Sequence, residues 1–448
     1  MSSLGCPRRL AQSRGTSAAS SVHRAKAPWP RGENLPRPLS TITHVAWTAA
    51  SVTPLGHEFI TEGDRSNWRV EWVFASVPGS LLIESHPMTD GQPPSPLRAQ
   101  IEMVDLFAGP GGLDVAAHWL GVSVAGIEWD PDACATRAAA NLHTDEGDVR
   151  LAKPADYPMA RILSGGPPCQ TYTVAGNGAG RRALDQVLSF VDAMARDEDV
   201  TDDLALLDDV RTGLVLQPLR WAIEAGQPYD AIVLEQVPAV LPVWQAFARV
   251  LESRGYGVDC GILHTEDYGV PQTRRRAILI ARHGEPAKLP RPTHRRYRKG
   301  QDRADGDQRL LPWKSMGEAL GWSDRFTVVS NYGTGGNPKD RGRRQSDQPA
   351  FTVTGKVSRN RLVGRPRNKP DRFTDEEAGK LQTFPPDYPW AGRDVAQQIG
   401  NAIPPRLATH VLAAALGKQA DVAMLDWCVE ESWQATRAGV DGLMKDAD

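Results

Sequence analysis

The stretch IEMVDLFAGPGGLDVAAHWLGVSVAGIEWD, residues 101–130, decides the fold. IEMVDLFAG is a short apolar strand, PGG a turn, LDVAAHWLG a helix that closes on Gly121, and VSVAGIEWD a second strand. Strand, glycine turn, helix and a strand ending in an acid make the first βαβ unit of a nucleotide-binding α/β sheet. Glu128 follows Gly109 by 19 residues, where a carboxylate can accept hydrogen bonds from a ribose diol. The pattern alone would serve NAD, FAD or S-adenosylmethionine. It also fits glycines that only turn a strand tightly into a helix.

Working outward, further apolar runs bounded by turn residues occur at MARILSGG, YDAIVLEQV, GYGVDCGIL and RRRAILIAR, with helical material between them. They imply a mostly parallel, doubly wound sheet, in which ligands bind beyond the carboxyl ends of the strands. Gly109, Cys169 and Glu235 all fall at such ends. In SGGPPCQ, residues 164–170, two prolines remove two N–H groups and fix two φ angles directly before a thiol, an arrangement suited to a nucleophile. Cys134, Cys260 and Cys428 read instead as small buried hydrophobes. The five cysteines are scattered and contain no C-x-x-C pair, so neither a disulfide framework nor a metal site is expected, and a reduced, cytoplasmic setting fits. No apolar run approaches the length of a membrane span.

These motifs, taken in order, resemble those of the C5-cytosine DNA methyltransferases. DLFAGPGG (105–112), IEWD (127–130), GDV (147–149), GGPPCQ (165–170), LEQV (234–237), PQTRRR (271–276), LQTFP (381–385) and QIGNAIPP (398–405) follow one another as in that family. The resemblance implies a Rossmann-like S-adenosylmethionine-dependent sheet with a smaller inserted target-recognition domain. It implies that Phe107, Ala108, Gly109, Gly111 and Gly112 form the cofactor loop and that Glu128 holds the ribose. Trp129 and Asp148 would meet the adenine, with Pro168 and Asn401 closing the pocket. Cys169 would be the nucleophile, Glu235 would engage cytosine N3, and Arg274 and Arg276 of the Q-x-R-x-R pattern would belong to the catalytic set, Arg276 reaching O2. The family has Glu-Asn-Val where this chain has Glu235-Gln236-Val237, which puts the local loop geometry in question.

The implied substrate is double-stranded DNA. Although the net charge is -2, residues 282–369 hold 21 Lys or Arg against 8 Asp or Glu. A basic stretch of that kind suits phosphate contacts, and Arg295, Arg296 and Arg298 are expected to make them. Two alternatives stand beside this reading: a relative acting on transfer RNA, and a catalytically dead binding protein, which the retained Cys169 and cofactor loop disfavour. The expected organisation is an irregular, disordered extension (1–98), of which residues 1–87 are dispensable for activity, and a catalytic and cofactor-binding domain (99–282). A basic target-recognition region (283–384), a return segment (385–418) and a helical tail (419–448) complete it. A monomer is expected, with a cognate restriction endonuclease as a compatible partner. The acidic residues 195–209 read as a solvated helical insertion.

Overall fold

The computed structural model of the chain describes residues 98–168, 179–205, 207, 210–330, 341–365 and 370–446. The extension expected over residues 1–98 lies almost wholly outside them. Met103–Leu106 forms β1, with all four residues buried, Gly112–Trp119 forms α1, and Val124–Glu128 forms β2. Helix α1 stops because Gly121 adopts φ +72°, a left-handed conformation that glycine takes without steric cost. Helix α2, Pro131–Ala139, starts where the Asp130 carboxylate accepts from the Asp132 N–H, with proline in the first helical position. The catalytic half continues through β3 (His143–Glu146), β4 (Ile162–Gly165), α3 (Ala179–Ala195), α4 (Thr201–Ala205), α5 (Gln217–Glu224), β5 (Ala231–Gln236), α6 (Leu241–Ser253), β6 (Tyr256–His264) and β7 (Arg275–His283).

These strands form one seven-stranded sheet in the order β3-β2-β1-β4-β5-β7-β6. It is parallel from β3 to β5, and β7 runs antiparallel between β5 and β6. The strand order reverses between β1 and β4, which opens a crevice at their carboxyl ends. There the register aligns Leu106 with Ile127 on one side and with Gly165 on the other, and Gly165 with Leu234. Strand β3 carries no apolar run: its sequence, HTDE, is polar and partly exposed, as befits a sheet edge.

Alternate residues feed two cores. Met103, Ile162, Val233 and Ile280 face one side, and Val104, Leu163, Ile232 and Leu279 the other, packed on α6 through Trp244 and Phe247. After β7 come α7 (Met316–Leu320), β8 (Thr327–Val329), β9 (Arg343–Gln345), β10 (Arg361–Val363) and α8 (Asp375–Leu381). Strands β8, β9 and β10 make a separate antiparallel sheet, β10-β8-β9, over its own core of Met316, Phe326, Val328, Leu362 and Phe373.

The chain returns through α9 (Val395–Asn401) and α10 (Pro405–Ala415), the latter packing on α1. The end of the chain differs from the helical tail expected from its sequence. It forms β11 (Lys418–Ala420), α11 (Val422–Glu430), α12 (Trp433–Thr436) and β12 (Met444–Asp446), with β12 paired back onto β11. Ser432 caps α12 by accepting from the Ala435 N–H, which breaks any continuous helix. The segment belongs to the catalytic core: Trp119 Nε1 donates to Thr436 Oγ1 (3.0 Å) and Trp433 Nε1 to the Ala140 carbonyl (2.9 Å). Among the described residues no helix is long and apolar enough to cross a membrane.

Candidate active site

At the switch point the backbone leaves β1 with Phe107 at φ +59°, a left-handed conformation costly for a non-glycine residue, followed by Gly109 at +55°. This tight turn sets Phe107 against a cleft lined also by Ile127, Glu128, Trp129, Gly147, Asp148, Val149, Pro168 and Leu214. Five residues expected at a cofactor pocket, Phe107, Glu128, Trp129, Asp148 and Pro168, therefore converge from four separate segments. Trp129 is an exposed aromatic at the rim. Leu214 had no sequence signal, being one aliphatic residue in an irregular stretch.

The Glu128 carboxylate accepts from the N–H groups of Gly109 (2.7 Å), Trp129 (2.8 Å) and Asp130 (2.8 Å). It thus ties the glycine turn to the end of β2. A carboxylate has about four acceptor positions, so one remains for a ribose hydroxyl. Asp148 is chelated by Arg150 through Nε (2.9 Å) and Nη2 (2.5 Å), and that hydrogen bonding holds its carboxyl below the usual range.

The remaining loop residues have other work. The Ala108 N–H donates to the Ile127 carbonyl, and Ala108 is buried. A Cβ on Gly111 would lie 2.5 Å from Leu142 Cδ1, and one on Gly112 would lie 2.4 Å from the Ile403 carbonyl oxygen. These two glycines let α1 approach the return segment. Of these glycines only Gly109 has open space where a Cβ would point, and it is not among the cleft-lining residues. Asn401 ends α9, exposed, accepting from Gln397 Nε2 (2.7 Å), and is not among the cleft-lining residues.

Beside the cleft, β4 and β5 bring GGPP against Glu235-Gln236. A Cβ on Gly166 would stand 3.6 Å from Glu235 Oε2, so that carboxylate lies over the turn leading to Pro167-Pro168. Gln236 Nε2 donates to the Pro167 carbonyl (2.6 Å), and its Oε1 accepts from the Val237 N–H. Prolines offer no N–H, so a carbonyl is what the protein can grip here. The chain-specific glutamine grips it. Cys169 lies outside the described residues.

The Q-x-R-x-R pattern divides by role. Arg276, at the start of β7, forms a buried ion pair with Glu235 Oε1. Burial lowers its pKa and Glu235 opposes the shift. Arg274 points elsewhere: Nη1 donates to the Val353 carbonyl (2.9 Å), and Nη2 to those of Gly400 (2.9 Å) and Ala402 (3.1 Å). The contacts give the expected catalytic Arg274 a different task, because both terminal nitrogens are turned to backbone carbonyls of distant segments, while its buried Nε has no hydrogen-bond partner. Gln272 works similarly, donating to the Leu381 carbonyl (2.9 Å) and accepting from the Val353 N–H (2.9 Å). Gln382 completes the clasp on the Ile399 and Ala402 carbonyls. These three side chains fix the return segment against both sheets.

Of the arginines expected on phosphates, Arg295 is 7% exposed and buried. Arg296 is chelated by Asp267. Arg298 and Lys299 are exposed. The spacing of the three arginines gave no hint of this division, which depends on how the loop folds back onto the turn after β6.

The model of the C-5 cytosine-specific DNA methylase family matches residues 101–191, 207–330 and 308–417, more than half of the chain. Type II methyltransferase M1.HphI of Haemophilus parahaemolyticus is 27% identical over 349 residues, covering 70% of this chain and 86% of that one. Type II methyltransferase M.AplI of Arthrospira platensis is 26% identical over 341 residues, covering 70% and 85%. Among solved structures, the S. pombe Dnmt2 methyltransferase superposes with a TM-score of 0.47 at 15% identity, over 70% of this chain and 98% of that one. With the ordered motifs and the cleft at the switch point, the family match establishes that this chain belongs to the C-5 cytosine-specific DNA methylases, enzymes that methylate carbon 5 of cytosine in DNA.

Proposed function

We propose that the chain is a sequence-specific DNA (cytosine-5) methyltransferase of the type II restriction-modification kind, using S-adenosylmethionine, with Cys169 as its nucleophile. The observation that carries this reading is the meeting of Gly166-Pro167, Glu235-Gln236 and Arg276 at adjacent strand ends, beside a cleft lined by Phe107, Glu128, Trp129 and Asp148. The lining suits the cofactor: an aromatic ring at each of Phe107 and Trp129 for the adenine, and one spare acceptor position on Glu128 for the ribose. Bound there, S-adenosylmethionine supplies an electrophilic methyl group.

Carbon 5 of cytosine is a weak nucleophile, and the side chains must activate it. The target base leaves the duplex stack to reach them. The Cys169 thiolate forms a bond to carbon 6, pushing electron density toward carbon 5. Glu235, hydrogen-bonded at N3, stabilises the charge that develops on the ring, and Arg276 does so at O2. Once carbon 5 carries the methyl group, loss of its proton restores the double bond and expels Cys169. In the free protein Glu235 and Arg276 form an ion pair in which Glu235 Oε1 keeps no hydrogen-bond partner, which leaves it available to the base.

Residues 283–384 serve as the target-recognition region, with the basic surface around Arg298 and Lys299 on phosphates. Relatives named as type II methyltransferases favour a cognate restriction endonuclease as partner, and a monomer in the cytoplasm, where the DNA lies, completes the proposal. The test is incorporation of labelled methyl groups into duplex DNA and into transfer RNA, followed by bisulfite sequencing of the DNA. Modification confined to cytosines in one short sequence context is expected. Methylation of transfer RNA alone would overturn the assignment.

A further inference from the structure

Strand β9 alternates in a way its composition conceals. Arg343 and Gln345 are exposed, whereas Arg344 between them turns inward. Its guanidinium lies 4.4 Å from the centroid of the Tyr297 ring and 4.8 Å from that of Phe351. Nη1 donates to the Pro349 carbonyl (2.8 Å), and Nη2 to Thr273 Oγ1 (3.2 Å). Thr273 is itself stitched to the neighbouring segment: its N–H donates to the Ala350 carbonyl (2.9 Å), and Thr352 Oγ1 donates to its carbonyl (2.6 Å). Arg344 therefore crosses from the small sheet to the segment that leads into β7, where Arg276 lies three residues on and pairs with Glu235 of β5.

An arginine that serves as a phosphate contact keeps its fork in solvent. Arg344 spends it on two rings and two protein oxygens, and burial lowers its pKa against the opposing influence of Tyr297 and Glu266. We propose that Arg344 is a positioning residue: it holds the β8–β10 sheet in fixed register with the Glu235–Arg276 pair, so that DNA engaged on the outer face of β9 delivers its cytosine to the reacting groups. This rests on the reading that residues 283–384 engage duplex DNA. Lysine cannot substitute, since a point charge on a flexible stem has neither the plane to fill the space between two rings nor a fork for two acceptors.

The test compares Arg344→Lys, Thr273→Val and the double variant with the wild-type chain. The measurements are single-turnover methyl transfer, duplex affinity, S-adenosylmethionine affinity, and the rate ratio between the target site and a site altered by one base pair. Misplacing reacting groups by about 1 Å costs about a hundredfold in rate, and loosening one clamp of several is expected to cost about tenfold. Arg344→Lys should lose that factor in rate and in discrimination, with both affinities held within about threefold. Thr273→Val should do the same, and the double variant should be no worse than the poorer single one, because both changes cut the same link. Weaker duplex binding with unchanged rate and discrimination would overturn the proposal, as would additive effects in the double variant. Should Arg344→Lys fail to fold, Thr273→Val decides: wild-type rate and discrimination in that variant would end the assignment. A wild-type chain that methylates no duplex would instead remove the functional reading beneath it, and the assignment with it.

Discussion

Replacing Gln236 with leucine removes the only side-chain hydrogen bond observed on the Pro167 carbonyl among the described residues, at 2.6 Å, and leaves the Val237 N–H without its acceptor. A hydrogen bond of this kind contributes about 1 kcal/mol net, and stranded partners that are half-buried add about as much again. If half or more of that is felt where the chain leaves Pro167-Pro168 for the nucleophile, a loss of about 1–2 kcal/mol slows the chemical step by roughly 5- to 30-fold. Asparagine, the family residue, is one methylene (about 1.5 Å) shorter. It is expected to fall between the wild type and leucine, because the turn must move to meet it. The assay is single-turnover methyl transfer with duplex and S-adenosylmethionine both saturating, so that binding changes do not enter. Cofactor affinity should stay within about twofold, since Gln236 does not line the cleft. A leucine variant that transfers methyl within twofold of the wild-type rate would refute the idea that this amide sets the geometry of the nucleophile's turn.

Three further outcomes follow from the charges. Replacing exposed Arg298 and Lys299 with glutamine should flatten the salt dependence of duplex binding by about 0.9 in log–log slope for each phosphate no longer neutralised, whereas Arg295→Gln should leave the slope alone and lower stability; equal slopes in all variants would contradict this. Asp114→Asn should destabilise the fold by about 3–5 kcal/mol in urea titration, because it deprives the fully buried Arg137 of a two-bond partner at 2.9 and 2.7 Å; a loss under about 1 kcal/mol would contradict it. Glu266, in the turn after β6, is pushed up to about 7 by burial, with Asp267 reinforcing and Arg296 opposing the shift. The folded chain therefore binds more protons than the unfolded one between the ordinary value of 4.5 and about 7, and stability falls as pH rises through that window. Glu266→Gln should be more stable than wild type at pH 8, by up to about 3 kcal/mol, and equal to it near pH 4, and a difference independent of pH would contradict this.

What could be read in the sequence was whatever depends on short-range pattern. The turn from β1 into α1, the acid ending β2 and the apolar runs of β4 to β7 follow from local spacing, and the structure keeps them within three residues. The polar edge strand β3 has no such period to display. Arg274 and Arg276 share one motif and one residue type. What separates them is that Val353, Gly400 and Ala402, far away in the chain, place carbonyls around one and not the other. The same holds for Arg295 and Arg298, and for Gly111 and Gly112, whose need for glycine comes from Leu142 and Ile403 as well as from the turn. The end of the chain misled because apolar residues recurring every three or four positions over 422–444 suggest one amphipathic helix, while the Ser432 cap and the pairing of β12 with β11 break it.

The central claim is that Cys169 bonds to carbon 6 of a cytosine activated by Glu235. It is tested most directly with duplex DNA whose target cytosine carries fluorine at carbon 5. After methyl transfer the last step needs a proton to leave carbon 5, and fluorine cannot leave that way, so protein and DNA should remain joined through denaturing electrophoresis. The adduct should form only when S-adenosylmethionine is supplied. It should be absent from Cys169→Ser, whose hydroxyl is far less ionised and a poorer nucleophile, although that variant still binds cofactor and duplex. An adduct of equal yield in Cys169→Ser, or wild-type methylation of ordinary DNA by that variant, would contradict the account.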